Sequence, residues 1–371
     1  MYNRVSASKI LYWLSLGSFS VRRQKELVSR YKTLDELWDD FPNNPVVREF
    51  VGEKAFGELS RFRSVDYIEK SLSGLRDKDV GVITILNPIF PERLRRPEVN
   101  APLVLYYRGD PKILADESVA VVGTRACSTY GREVAKNIGY DLGAAGVTVV
   151  SGLATGIDSY AHEGTLAASG KCVAVIGGGL DHVTPVGNIK IHDKIIESGG
   201  AVVSEYRPEF PPNKFTFPER NRLISGLSLG TVVVEAGEKS GALITASCAL
   251  DQGRYVFAVP GPVTSERSKG CNELLYQGAC VARNAEDILS VIRPNVVTTN
   301  LKSDKKSAAT EKIVDKDQKT VYSLLSDEAK TMDEIIEGSG LPPAAIAEIL
   351  LDMELKDLIV RSGNNAFRRK S

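Results

Sequence analysis

What this 371-residue chain lacks already excludes several classes of protein. It has no excess of either charge, with 47 Lys plus Arg against 47 Asp plus Glu, so a polyanionic partner has to be met by a local basic patch and not by the field of the whole molecule. Histidine is scarce: His162, His182 and His192 are the only three, and none has a second His or Cys at a ligating spacing. No metal is expected. The five cysteines, Cys127, Cys172, Cys248, Cys271 and Cys280, are odd in number, scattered and never in a Cys-x-x-Cys pair, which argues against a disulfide framework and against zinc and fits a reducing compartment. Long apolar runs are missing too. Arg4 and Lys9 precede an apolar run from Ile10 to Leu16 that superficially resembles a secretory signal, but the run is short and no small-residue cleavage site follows. Nothing approaches the roughly 18 to 20 apolar residues that span a bilayer, so a cytoplasmic protein without membrane contact is expected.

What is present changes texture along the chain. Residues 1–75 are rich in helix formers, with Leu27, Val28, Tyr31, Leu34, Leu37 and Trp38 at helical spacing, and predict a small helical domain. Over residues 76–293, short β-branched runs alternate with helical patterns: Val80 to Leu86, Leu103 to Tyr107, Val119 to Gly123, Val147 to Gly152, Val173 to Gly179, Ala201 to Tyr206, Thr231 to Gly237 and Tyr255 to Gly261. Strands buried on both faces have this texture, which predicts an α/β domain with a mostly parallel sheet. Residues 294–315 turn polar, with no apolar period, and predict a linker. Residues 316–371 show three helical stretches, Lys319 to Leu325, Thr331 to Gly338 and Pro343 to Leu355, then a hairpin-like end over Leu358 to Arg361 and Asn364 to Phe367. Three helices and a wing suggest a winged helix-turn-helix.

Most sheet runs end in glycine or a small polar residue, and in a parallel sheet these ends share the edge where open α/β folds bind ligands. The first loop reads Gly123-Thr124-Arg125, with Ser128, Tyr130 and Gly131 as a helix opens. A dinucleotide site needs glycine where Arg125 stands, so no cofactor is expected. A guanidinium at a helix N-terminus can clamp a phosphate, with the helix N–H groups and Ser128 as further donors; an arginine that only bridges a nearby carboxylate fits the same pattern. The second loop, Ser151-Gly152-Leu153-Ala154-Thr155-Gly156-Ile157-Asp158, offers another anion nest, although Asp158 also suits a helix cap and His162 a packed position. Ser240-Gly241-Ala242 repeats the arrangement. Between the second and third loops, residues 211–222 crowd Lys214, Arg220 and Arg222 around Phe215 and Phe217. Cations for phosphates and rings for exposed bases suit a single strand, and a solvated loop with two core phenylalanines is the bland alternative.

These residues carry a resemblance. Val122-Gly123-Thr124-Arg125 with Tyr130-Gly131, Ser151 to Asp158 with Ala161-His162, Phe217-Pro218-Glu219-Arg220-Asn221-Arg222-Leu223-Ile224, Glu235-Ala236, Ser240 to Ala246, Val259-Pro260-Gly261 and Gly270-Cys271-Asn272 resemble, in order, the motifs of the DNA-processing protein A (DprA/Smf) family. The resemblance covers nearly the whole central domain. It implies an extended Rossmann-like domain that binds single-stranded DNA, generally as a homodimer, protects incoming DNA in natural transformation and loads the RecA recombinase. It also implies that Arg125 and Lys214 contact phosphates, that Phe217 stacks a base, and that Ser151, Gly152, Arg220, Asn221 and Arg222 line the same pocket. The N-terminal part resembles the family's sterile-alpha-motif-like domain, and the C-terminal part its winged helix. Three positions depart from the family: Thr155 stands where many relatives carry Arg, His182-Val183-Thr184-Pro185 lacks the aromatic residue usual before that proline, and Gly17-Ser18-Phe19 lacks a Gly-Ile-Gly hairpin, which argues against a helix-hairpin-helix DNA contact there.

Two other functions compete. Glycine-rich loops and Glu235 on an α/β sheet also suit a Rossmann-type nucleotide hydrolase, which needs a carboxylate poised at a sugar carbon; cations and rings instead favour a binding protein with no catalytic residues. A winged helix can read duplex DNA. Its second and third helices here carry Asp333, Glu334, Glu337, Glu348, Asp352 and Glu354, which duplex phosphates repel, and a protein-contact or accessory role is expected, while Arg361, Arg368, Arg369 and Lys370 leave a DNA contact by the wing open.

Overall fold

The computed structural model describes residues 5–293, 316–326, 329–356, 358–362 and 366–369. These fall into two compact units, which divide after residue 294. The predicted linker, residues 294–315, lies outside the described residues, as do Asn364 and Lys370.

The first unit opens with six helices: α1 (Ala7–Ser15), α2 (Val21–Ser29), α3 (Leu34–Asp40), α4 (Pro45–Val51), α5 (Glu53–Phe62) and α6 (Val65–Arg76). Local chemistry sets several of their starts. Ser20, Thr33, Asn44 and Ser64 each accept a backbone N–H in the first turn, satisfying groups a helix start leaves open. Trp13, fully buried, meets Trp38 and Phe41 edge-on at centroid distances of 4.9 and 4.8 Å and pins α1 to α3. One apolar cluster runs from these helices to sheet residues Val104, Tyr106, Ala174 and Val202, so the helices pack directly on the sheet.

The sheet follows. Its elements are β1 (Gly81–Thr84), α7 (Glu92–Arg95), β2 (Val104–Gly109), β3 (Ser118–Val122), α8 (Thr129–Ala144), β4 (Thr148–Ser151), α9 (Ile157–Ala167), β5 (Cys172–Val175), α10 (Ile189–Glu197), β6 (Ala201–Ser204), α11 (Thr216–Leu227), β7 (Gly230–Val233), α12 (Gly241–Asp251), β8 (Tyr255–Ala258), α13 (Lys269–Tyr276), β9 (Cys280–Val281) and α14 (Ala285–Ile292). Nine strands order as β1-β2-β6-β5-β4-β3-β7-β8-β9. From β6 to β9 every neighbour is parallel, and only β2 runs against its partners. Residue alternation explains why both faces are dry: Val119, Val121, Val149 and Val232 enter one core, while Ala120, Val122, Val150 and Val233 enter the other. The eight expected strands all form. Their glycines lie just past the strand ends, in the loops, and β9 is a two-residue strand too short to show a period.

The strand order places a switch point at β3. Chain succession runs outward through β4, β5 and β6 on one side of it and through β7, β8 and β9 on the other, so the loops after β3 and β7 diverge and leave a crevice at the carboxyl edge.

The second unit comprises α15 (Lys316–Leu324), β10 (Lys330–Thr331), α16 (Met332–Ser339), α17 (Pro343–Leu355), β11 (Ile359–Arg361) and β12 (Ala366–Arg369), with its three strands in the order β10-β12-β11. Three helices with a small antiparallel sheet make a winged helix. Thr331 and Glu334 form a reciprocal capping box on α16, and Val321, Ile335, Ile346, Leu350 and Phe367 form its core. No helix among the described residues is long and apolar enough to cross a membrane.

Candidate nucleic-acid interface

The crevice at the switch point is a cleft of about 890 Å³. Four chain segments line it: Gly123, Thr124 and Arg125 after β3; Ala154 and Asp158 after β4; Asn213, Lys214, Phe217, Arg220 and Asn221 at the start of α11; and Gly237, Lys239, Ser240 and Gly241 after β7. Arg125 and Lys214, 89 residues apart in the chain, therefore border one space. Arg125 is exposed and holds its guanidinium 5.3 Å from the centre of the Phe217 ring, so cation and ring form one surface. Lys214 is exposed beside it, and its ammonium lies 5.0 Å from the Phe215 ring.

The α11 start is built locally. Asn213 Oδ1 accepts the N–H groups of Phe215 (2.9 Å) and Thr216 (3.3 Å), an Asx turn that starts the helix and sets its phase. That phase separates the three motif residues. Arg220 turns inward beneath the cleft floor and is only 5% exposed, with Nη1 donating to the carbonyl of Val175. Its guanidinium lies so close to residue 152 that a methyl group there would overlap it, which is why Gly152 is glycine. Asn221 donates to the Gly241 carbonyl at 3.3 Å and ties α11 to the loop after β7. Arg222 points elsewhere. It makes a two-pronged ion pair with Glu205 at 2.7 Å for both bonds and does not line the cleft, so its expected place in the pocket is not where the structure puts it.

Two of the three expected anion nests hold carboxylates of the chain itself. At the α8 N-terminus, Ser128 N and Ser128 Oγ donate to the two oxygens of Glu235 at 2.8 and 2.6 Å. Gly131 is needed there because a Cβ would strike that carboxylate. Glu235, 3% exposed, thus fills the site that the first loop offers a phosphate, and Ser128 is spent on it. Glu235→Ala is expected to lower stability by about 3 kcal/mol and Glu235→Gln by less, since the amide keeps one acceptor; urea unfolding midpoints measure both. In the second nest, Asp158 Oδ2 accepts Gly152 N at 3.1 Å and Ala154 N at 3.4 Å. Burial pushes the Asp158 carboxyl above the usual carboxylate range, while the Arg220 charge and these N–H groups pull it back. Burial likewise lowers Arg220 to about 10, with Asp158 raising it and Arg125 pressing it down further. The third nest is open to the cleft: Ser240 caps α12, and Gly241 has clear space where a side chain would be.

The remaining expected residues take structural positions. Ser151 Oγ donates to the Val121 carbonyl at 2.6 Å and is fully buried. Tyr130 Oη donates to the Pro260 carbonyl at 3.0 Å, outside the cleft lining. His162 is buried and neutral, burial pushing it down to about 3. Gly152 and Thr155 line a hollow of about 80 Å³ with Thr184, Pro185, Arg125, Phe217 and Arg220, so the departures from the family pattern at Thr155 and Thr184 meet beside the cleft. Lys239 was not anticipated. A cation just before a glycine-opened helix, as in Glu238-Lys239-Ser240-Gly241, was the available signal.

Fold and crevice together define an open α/β protein of the Rossmann-like type carrying a winged-helix unit. The family model for DNA recombination-mediator protein A matches residues 81–293, and that for the DprA winged helix domain matches residues 305–365. The chain is 36% identical over 295 residues to protein Smf of Escherichia coli, covering 78% of this chain and 77% of that one, and 39% identical over 266 residues to a putative DNA processing protein DprA of Mycobacterium tuberculosis, covering 71% and 68%. Among solved structures it resembles DNA processing protein A of Streptococcus pneumoniae, with a TM-score of 0.65, 32% identity and coverage of 77% and 98%. It also resembles the protein of that name from Helicobacter pylori, described for its single-stranded DNA binding mode, with a TM-score of 0.51, 30% identity and coverage of 57% and 95%. The chain belongs to the DNA recombination-mediator protein A family, DprA/Smf.

Proposed function

We propose that the cleft binds single-stranded DNA without reading its sequence. Arg125, Lys214 and Lys239 take consecutive phosphates, the start of α12 at Ser240 and Gly241 takes another, and Phe217 contacts a base. The observation that carries this reading is that Arg125, Lys214 and Phe217 line one cleft. Cations beside a ring, with no array of side-chain donors aimed at base edges, give affinity that depends on the backbone and on stacking. The DNA-binding set is Gly123, Arg125, Lys214, Phe217, Asn221, Lys239, Ser240 and Gly241, with Arg220 and Gly152 forming the floor. The relative from Helicobacter pylori is described for its single-stranded DNA binding mode, which supports the same ligand here.

The protein is then a cytoplasmic binder and not a hydrolase, because Glu235 is engaged at the α8 N-terminus and is not free at the cleft surface. As a family member it acts as a homodimer that protects incoming DNA during natural transformation and delivers it to the RecA recombinase. A gel shift with one mixed-sequence oligonucleotide, single-stranded and annealed to its complement, tests the reading. A shift for the single strand at lower protein concentration than for the duplex is expected. Equal or preferred duplex binding, or release of ribose phosphate from a nucleoside monophosphate, would refute it.

A further inference from the structure

We infer that Phe215, outside the cleft lining, is a second base-stacking platform, placed where a single strand leaves the cleft past Lys214. The inference rests on the reading of the cleft as a single-strand groove. Phe217 is half-buried, packs against the Gly177 backbone and carries the Arg125 guanidinium, so it serves a single base inside the cleft. Phe215 is the opposite case. It is 66% exposed, an unusual position for a large ring next to a charged groove. It is also not a loosely held side chain on a free loop, since its N–H is fixed by Asn213 Oδ1 at 2.9 Å in the turn that starts α11.

Geometry links this ring to the cleft through one residue. Lys214 lines the cleft, and its ammonium lies 5.0 Å from the Phe215 ring centre, so a phosphate held by Lys214 has the ring within a nucleotide's reach. Residues two apart at a helix start point roughly 200° apart, which sends the Phe217 ring into the cleft and the Phe215 ring to its outer side. The order of groups is therefore Arg125 with Phe217, then Lys214, then Phe215. A cation between two rings matches a phosphate between two bases, and a π-face accepts any base. The class of ligand at Phe215 is an unpaired nucleobase of any identity.

The test compares wild type with Phe215→Leu on oligo-dT and on an oligomer of equal length in which abasic units replace the bases. On dT, the variant is expected to bind about fivefold to 100-fold more weakly, with an unchanged dependence of affinity on salt, because no phosphate contact is lost. On the abasic oligomer the two proteins should differ by less than about twofold. A Phe215→Trp protein should retain dT affinity and show quenched indole emission on binding. Equal dT affinity for wild type and Phe215→Leu, or equal losses on both oligomers, would overturn the inference while leaving the groove intact. Failure of wild type to bind dT at all would remove the groove and this platform with it.

Discussion

A protein carrying both Arg125→Ala and Lys214→Ala is expected to bind a mixed-sequence single-stranded oligonucleotide about 10²-fold to 10⁴-fold more weakly than the parent. Each side chain supplies a charge-assisted bond worth about 1.5 to 3 kcal/mol, and the sum over two such bonds sets the range. Both cations are exposed, so the fold is retained; the Arg125 contact with Phe217 adds at most about 1 kcal/mol to stability. The salt dependence separates this account from a general loss of fit. For a single strand, each phosphate neutralised contributes about 0.7 to the slope of log affinity against log salt, so the double variant's slope should be shallower by about 1.4. Titrations at several salt concentrations on two unrelated sequences measure both quantities. An unchanged slope, or a loss confined to one sequence, would refute backbone recognition by these two residues. Arg222→Ala is the control: its guanidinium is held by Glu205 away from the cleft, so stability should fall while affinity stays near the parent value.

The contrast between Arg220 and Arg222 marks how far the residues could be read without coordinates. Doubly buried strands are legible because Val-rich runs between glycines leave no polar face, and the positions of the ligand-side loops follow once the strands are parallel. Cations beside rings are legible as chemistry. Phase is not: two arginines two residues apart point to opposite sides of α11, and the Asx turn of Asn213 determines which one meets the cleft. Nor could the filled nests be seen. Glycines and a serine before a helix look the same whether a phosphate or a carboxylate sits on them, and the carboxylate at Ser128 comes from Glu235, 107 residues away. Filling two nests from within leaves the cations and the α12 start as the places where this rim offers its charge to a ligand.

The floor of that groove carries an energetic burden, and removing one member of it should be costly. Arg220→Leu is expected to destabilise the protein by about 3 to 5 kcal/mol at neutral pH, because it leaves Asp158 buried without its compensating cation. No ion pair joins the two, so Arg220 acts on Asp158 through its field. That burial raises Asp158 and lowers Arg220 means desolvation outweighs their attraction for both. The sign of the pH dependence follows. A folded carboxyl that keeps its proton above the unfolded value of about 3.9 binds more protons in the native state across that window, so stability falls as pH rises through it. Without Arg220 the folded value climbs further, and the variant's deficit should widen from pH 4 toward pH 7 and narrow on acidification. Adding Asp158→Asn should recover part of the loss at neutral pH, since an amide oxygen in the place of Oδ2 still accepts the Gly152 and Ala154 N–H groups and no charge stays buried. Urea unfolding of the two single variants and the double variant at pH 5 and pH 7 measures the cycle. A deficit independent of pH, or a double variant no more stable at pH 7 than Arg220→Leu, would show that Arg220 holds the floor by packing on Gly152 and bonding Val175, and not by charge.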